Sequence, residues 1–108
     1  MNHEPPYYAV IFASTRTEGD QGYAAMAARM VELAAMRPGY LGADSVRDAE
    51  GRGITVSYWS SLEDIESWRI DSEHLAAQRM GREKWYKEYS LRVARVERAA
   101  EFRPDPRP

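Results

Sequence analysis

The chain has 108 residues, 44% of them hydrophobic and 30% charged, with a formal net charge of -2. That is the length and composition of one soluble globular domain, and a pI of about 5.7 lacks the basic footprint of a nucleic-acid binder. The chain has no cysteine, which excludes disulfides, thiolate catalysis and Cys-ligated zinc or iron–sulfur clusters.

No apolar run reaches the roughly 20 residues of a membrane span. The opening MNHEPPYY lacks the basic-then-apolar pattern of a signal peptide. The expectation is a cytoplasmic protein that contacts neither nucleic acid nor membrane.

Residues 1–6 are polar and proline-containing, and are expected to be a flexible N-terminus. Tyr7 to Ser14 reads YYAVIFAS, an unbroken β-branched and aromatic run that predicts a strand buried on both faces. Glu18-Gly19-Asp20 ends it, with Asp20 as an N-cap. Tyr23, Met26, Ala27, Met30, Leu33 and Ala34 then recur at spacings of three and four, the apolar face of a helix. Pro38-Gly39 stops that helix.

Tyr40 to Arg47 is the second predicted strand. The polar turn around Gly51 and Gly53 returns the chain antiparallel into a third, Ile54 to Trp59. There Ile54, Val56 and Tyr58 point to one face and Thr55, Ser57 and Trp59 to the other. Ser60 with Glu63 makes a capping box for a second helix that runs to about Lys84. A kink is expected at Ile70-Asp71-Ser72, with Asp71 as a second cap. Tyr89 to Arg98 is the last strand, and residues 101–108 are a proline-rich tail.

The order β-α-β-β-α-β is the ferredoxin-like split unit of an α+β protein, occupying residues 7–100. Its four-stranded antiparallel sheet carries the helices on one face. In the last strand Tyr89, Leu91 and Val93 point one way, while Ala94 and Val96 point the other. Both faces are therefore apolar, and the chain has no further element for the second. A second copy of the same sheet, in a two-fold homodimer, is the economical cover.

Three stretches together resemble a known family. They are YYAVIFASTRTEGDQGYAAMAARMVELAAMRPGYLG, ITVSYWSSLEDIESWR with its inward Trp68, and HLAAQRMGREKWYKEYSLRVARVE. Over residues 7–98 they are similar to the antibiotic biosynthesis monooxygenase family, in the dimeric α+β barrel group. The resemblance implies a homodimer whose subunits each enclose a pocket between sheet and helices. It also implies oxygenation of a small aromatic or polyketide-like compound with no metal and no organic cofactor. A non-enzymatic protein that binds a small hydrophobic or aromatic ligand is the second reading, and a haem-binding protein the third.

Cofactor-free oxygenation needs a group that deprotonates a phenol or steadies its oxyanion, and aromatic walls that exclude water. His74 is the one histidine in the body of the domain, and histidine alone among ordinary side chains titrates near neutrality. With Gln78, Arg82 and Trp85 it falls near one helix face. His74 and Arg82 are the candidate catalytic pair, weighed against a capping or packing histidine and a surface arginine paired with Glu83, Glu88 or an acid on the partner subunit. Trp68, Tyr58, Gln78 and Trp85 are the candidate ligand contacts. Trp68 is weighed against core packing, and Trp85 against core or dimer-interface packing. Of Tyr58 and Trp59, one is expected to face the pocket and the other the dimer interface.

Metal ligands are not expected, since the acids are scattered. Haem is disfavoured by a departure from the pattern of the haem-degrading branch. That branch places its ligand histidine ten residues after the inward tryptophan and an asparagine on the first strand. Here the tenth residue after Trp68 is Gln78, and Tyr7 to Arg16 holds no asparagine.

Overall fold

A computed structural model describes residues 3–105, without the side chain of Ser72. Strand β1 (Tyr7–Arg16) carries the unbroken apolar run and lies inside the sheet. Helix α1 spans Tyr23–Ala35, β2 Tyr40–Arg47 and β3 Arg52–Trp59. Two helices follow, α2 (Leu62–Arg69) and α3 (Ser72–Met80), then one π turn (Gly81–Trp85) and β4 (Tyr86–Val96). The sheet order is β2-β3-β1-β4, with every neighbouring pair antiparallel. This is the expected ferredoxin-like α+β sheet.

The register sorts the side chains. Tyr8 faces Trp59, Val10 faces Ser57, Phe12 faces Thr55 and Ser14 faces Gly53, so these share one face. Trp59 stacks on Trp68 of α2, so this face is the helix side. Tyr89, Leu91 and Val93 of β4 lie on it too, opposite Ser14, Phe12 and Val10. The other face carries Ala9, Ile11, Ala13, Ile54, Val56, Tyr58 and Ala94.

Helix α1 buries the face its spacing predicts. Tyr23, Met26, Ala27, Met30, Leu33 and Ala34 are half-buried or buried, and the residues between them are exposed. The helix begins at Tyr23 rather than directly after Asp20. Asp20 still does the chemical work of a cap: its carboxylate accepts from Gly22 N and Ala24 N at 3.0 Å each, satisfying donors that a helix start leaves bare.

Other boundaries shift for nonlocal reasons. The cap of α2 is Ser61, which accepts from Asp64 N, not the expected Ser60 with Glu63. Ser60 N donates to Gly39 O at 2.8 Å and so still belongs to the sheet end. Strand β4 begins three residues before the expected Tyr89 because a bulge at Thr15/Arg16 lets Tyr86 pair with Arg16. It stops at Val96, short of Arg98, because its partner β1 ends at Tyr7. The single kinked helix expected as far as Lys84 is α2, α3 and the π turn. Asp71 is the cap of α3, as the polar break suggests.

Of the two ends, residues 1–2 and 106–108 lie outside the described residues. Within them, 3–6 and 97–105 carry no helix or strand, and Phe102 is almost wholly exposed. Among the described residues no helix is long and apolar enough to cross a membrane.

Candidate functional site

The break between α2 and α3 builds the site. Six residues on an unbroken helix would set Trp68 and His74 about 120° apart around the axis and about 9 Å apart along it. The turn at Ile70 and Asp71 brings them together instead. The imidazole lies on the indole with centroids 4.2 Å apart and planes 12° from parallel. Trp68 in turn stacks on Trp59 at 6.4 Å. Trp59 is fully buried and meets Tyr40 edge-on. The ladder Trp59, Trp68, His74 thus runs from the sheet to the inner face of α3.

His74 Nδ1 lies 2.9 Å from the Trp68 carbonyl oxygen. A carbonyl only accepts, so the bond requires the proton on Nδ1. In the neutral ring this leaves Nε2 as a bare acceptor, the form a general base needs. Burial pushes the His74 pKa below its ordinary 6.5, and the Trp68 carbonyl and the Asp71 carboxylate oppose that shift without reversing it.

Asp71 holds this arrangement from below. Its Oδ1 accepts from Glu73 N and His74 N at 3.0 and 3.1 Å. Its Oδ2 lies 3.8 Å from Arg37 Nη1, and Arg37 Nη2 also donates to the carbonyl and hydroxyl of Ser67. Arg37, from the loop after α1, therefore fastens the end of α2 to the start of α3. The ion pair of Arg29 with Glu73, 3.1 Å, ties α1 to α3.

The other expected site residues divide. Gln78 is half-buried, one helical turn beyond His74 on the same side of α3. Arg82 and Trp85 do not continue that row, because the π turn widens the backbone between them and α3. Arg82 is exposed and makes no hydrogen bond or ion pair among the described residues; Glu88 pairs with Arg52 instead. Trp85 is a core residue, 4% exposed, its indole N–H donating to Gln21 O and its ring against Tyr23. Tyr58 lies on the opposite sheet face, beside Tyr7 and with its hydroxyl on Asp44. Trp59, not Tyr58, is the member of that pair on the helix side.

The helix side of β4 is an open apolar surface. Leu91 and Val93 face the helix side, yet are 51% and 46% exposed, and Leu75 on α3 is 45% exposed. A separate cavity of about 200 Å³ is lined by Ala13, Arg52, Glu88, Tyr89 and Ser90 and takes in none of the expected site residues. No group of three or more His, Asp or Glu able to hold a metal occurs among the described residues. Sequence reasoning missed Arg37 and a second cluster, Arg16, Arg47, Tyr23 and Tyr86. Both are assembled by contacts between residues far apart in the chain, and no local pattern signals them.

Comparisons with known proteins agree with this architecture. The chain is similar to the uncharacterized protein YqjZ of Bacillus subtilis, 58% identical over 99 residues, which span 92% of this chain and 87% of that one. Among solved structures it is similar to SnoaB, a cofactor-independent oxygenase from Streptomyces nogalater. That match has a TM-score of 0.69 and 12% identity, covering 94% of this chain and 100% of the other. It is similar also to Rv0793 of Mycobacterium tuberculosis, with a TM-score of 0.74 and 16% identity over 87% and 99% of the two chains. At such identities the solved structures speak to the fold. Residues 6–80 match the antibiotic biosynthesis monooxygenase family; with a close relative over nearly its whole length and the fold in common, the chain belongs to that family.

Proposed function

We propose that this chain is a cofactor-independent monooxygenase acting on a small aromatic or polyketide-like phenol, working as a homodimer joined through the helix-free sheet face. The observation that carries the reading is the Trp68 carbonyl on His74 Nδ1, which leaves Nε2 free to accept a proton. Nε2 takes the phenolic proton, and the resulting phenolate is electron-rich enough to reduce dioxygen itself. One oxygen atom joins the ring carbon. The other leaves as water with the phenolic hydrogen and the hydrogen displaced from that carbon. The product is a quinone, and the substrate itself supplies all four electrons that dioxygen takes up, so no cofactor is required. Trp68 and Gln78 are the ligand contacts beside the base, and the stacked rings keep water from the ring face of His74.

Oxygen uptake tests this with hydroxylated naphthalenes and anthracenones in chelator-treated buffer. The expected result is turnover with no added cofactor and heavy-isotope label from dioxygen in the product. Quenching of tryptophan fluorescence by the same compounds without oxygen uptake would favour the non-enzymatic binding protein.

A further inference from the structure

Six arginines of this chain, Arg29, Arg37, Arg52, Arg69, Arg95 and Arg103, each have an acidic side chain within 4 Å. Arg16 and Arg47 have none among the described residues, yet both are firmly held. Arg16 donates from Nε to Trp85 O and from Nη2 to Gly19 O and Asp20 O. Arg47 donates from Nη1 to Ser14 O and Gly51 O and from Nη2 to the Ser14 hydroxyl. The Ser14 side chain is fully buried. Arg47 lies flat on the sheet because Gly53 has no side chain: a Cβ there would come within 2.7 Å of Arg47 Cζ.

Both guanidiniums converge on one ring. Arg16 Cζ is 3.8 Å and Arg47 Cζ 5.9 Å from the centroid of Tyr23. The neighbouring carboxylates in sequence are turned elsewhere, Asp20 onto Gly22 N and Ala24 N and Asp48 onto Glu50 N and Arg52 N. Two like charges are thus fixed close together by neutral carbonyls, and among the described residues the Nη1 hydrogens of Arg16 and the Nε hydrogen of Arg47 have no hydrogen-bond partner. Fixed donors around an empty charge position are how proteins preorganise an oxyanion site. Two phenols complete it: Tyr86 OH donates to Tyr23 OH at 3.4 Å. The Tyr86 ring packs edge-on against Phe12, which faces Leu91 on the open apolar surface of β4.

We propose that this cluster, with the neighbouring apolar surface of β4, is a subsite for a carboxylate carried on an aromatic ring. The carboxylate meets Arg16, Arg47 and the tyrosine hydroxyls, and the ring lies on Phe12 and Leu91. The site is at the Ser14 end of β1, while the His74 ladder is at the Tyr8 end, about 20 Å away along the strand. At that separation a small aromatic bound here does not reach His74 Nε2, so the subsite is a second binding site that does not rest on the oxygenase reading.

Calorimetric titration of naphthoate and its neutral isostere naphthamide tests the subsite. Naphthoate is expected to bind the wild type more tightly than naphthamide, and more weakly as salt is raised. Arg47→Gln should weaken naphthoate at least about tenfold, the scale of a lost charge-assisted hydrogen bond, and leave naphthamide unchanged. Arg47→Lys, which keeps the charge but loses the planar fork, should fall between. Equal binding of the two ligands by the wild type overturns the proposal, as does full naphthoate affinity in Arg47→Gln. Should Arg47→Gln not fold, a salt-independent naphthoate affinity in the wild type overturns it equally. His74→Ala should hold naphthoate within about twofold. If naphthoate binds as expected and no phenol drives oxygen uptake, the subsite stands and the oxygenase reading falls.

Discussion

His74 is held by a neighbour's backbone and a neighbour's ring rather than by core packing of its own, and that sets what its loss should do. His74→Ala removes the proposed base but leaves the Trp59–Trp68 stack, so the melting temperature should stay within a few degrees. Oxygen uptake should fall about 100-fold or more, the range for a lost general base. The pH dependence has a definite sign. The folded His74 pKa lies below the 6.5 of the free side chain because the ring is buried. The unfolded chain therefore takes up the proton first as pH falls. His74 costs no stability above about pH 6.5, and progressively destabilises the fold as pH drops below it. On the acid side the wild-type melting temperature should therefore fall relative to that of His74→Ala. Activity should fall on acidification only below the ordinary histidine range. The same geometry bears on haem. The α2–α3 break draws His74 back onto Trp68, with ring centroids 4.2 Å apart, rather than a turn further along the helix. Haemin titration should give no sharp one-to-one Soret band; a saturable band lost in His74→Ala would show that the site is a haem site.

At the scale of elements, the joint between α2 and α3 is where site and stability meet. Asp71 caps α3, accepts His74 N and pairs with Arg37. Asp71→Ala should cost about 1 kcal/mol for the cap, which lowers the melting temperature by about 5 °C in a domain of this size. It should also disturb the His74 tautomer, read from imidazole nitrogen shifts; an unchanged ring with the same loss of stability would make Asp71 a cap and nothing more. The face of α1 and the two-sided character of β1 and β4 were legible in the sequence, because both are local periodicities of 3.6 and 2 residues. The capping of α3 by Asp71 was legible for the same reason. The Trp68–His74 stack was not, since it depends on the break rather than on a helical spacing. The side taken by Tyr58 was not either: alternation puts Tyr58 and Trp59 on opposite faces but does not say which face the helices cover. A row from His74 to Trp85 assumes a continuous helix, and the π turn, which carries no local signal in this stretch, interrupts it. The Arg16 cluster joins residues as far apart as 69 positions, beyond any pattern read along the chain.

At the scale of the whole molecule, the helix-free face decides whether the chain works alone. Ile54 on this face is 44% exposed and Val46 74%, beside the half-buried Ile11, Val56 and Tyr58. A contiguous apolar face of this kind is an aggregation hazard in a monomer and a natural seat for a self-complementary partner. One row across the face sets how two copies would meet. It reads Asp44, Val56, Ile11, Arg92 in register, an acid at one edge and a base at the other with two apolar residues between. A two-fold axis along the strands lays Asp44 of one copy over Arg92 of the other, whereas an axis across the strands lays like charge on like. The first arrangement is the expected one. Sedimentation at micromolar concentration should therefore give a mass about twice the 12.4 kDa of the chain. Asp44→Arg should weaken the dimer by setting two cations against each other, and Arg92→Asp should do the same with two anions. The double variant should restore association towards that of the wild type, because the exchange leaves opposite charges face to face. A monomer at micromolar concentration would remove the homodimer; a dimer indifferent to both single reversals would keep it and discard this axis.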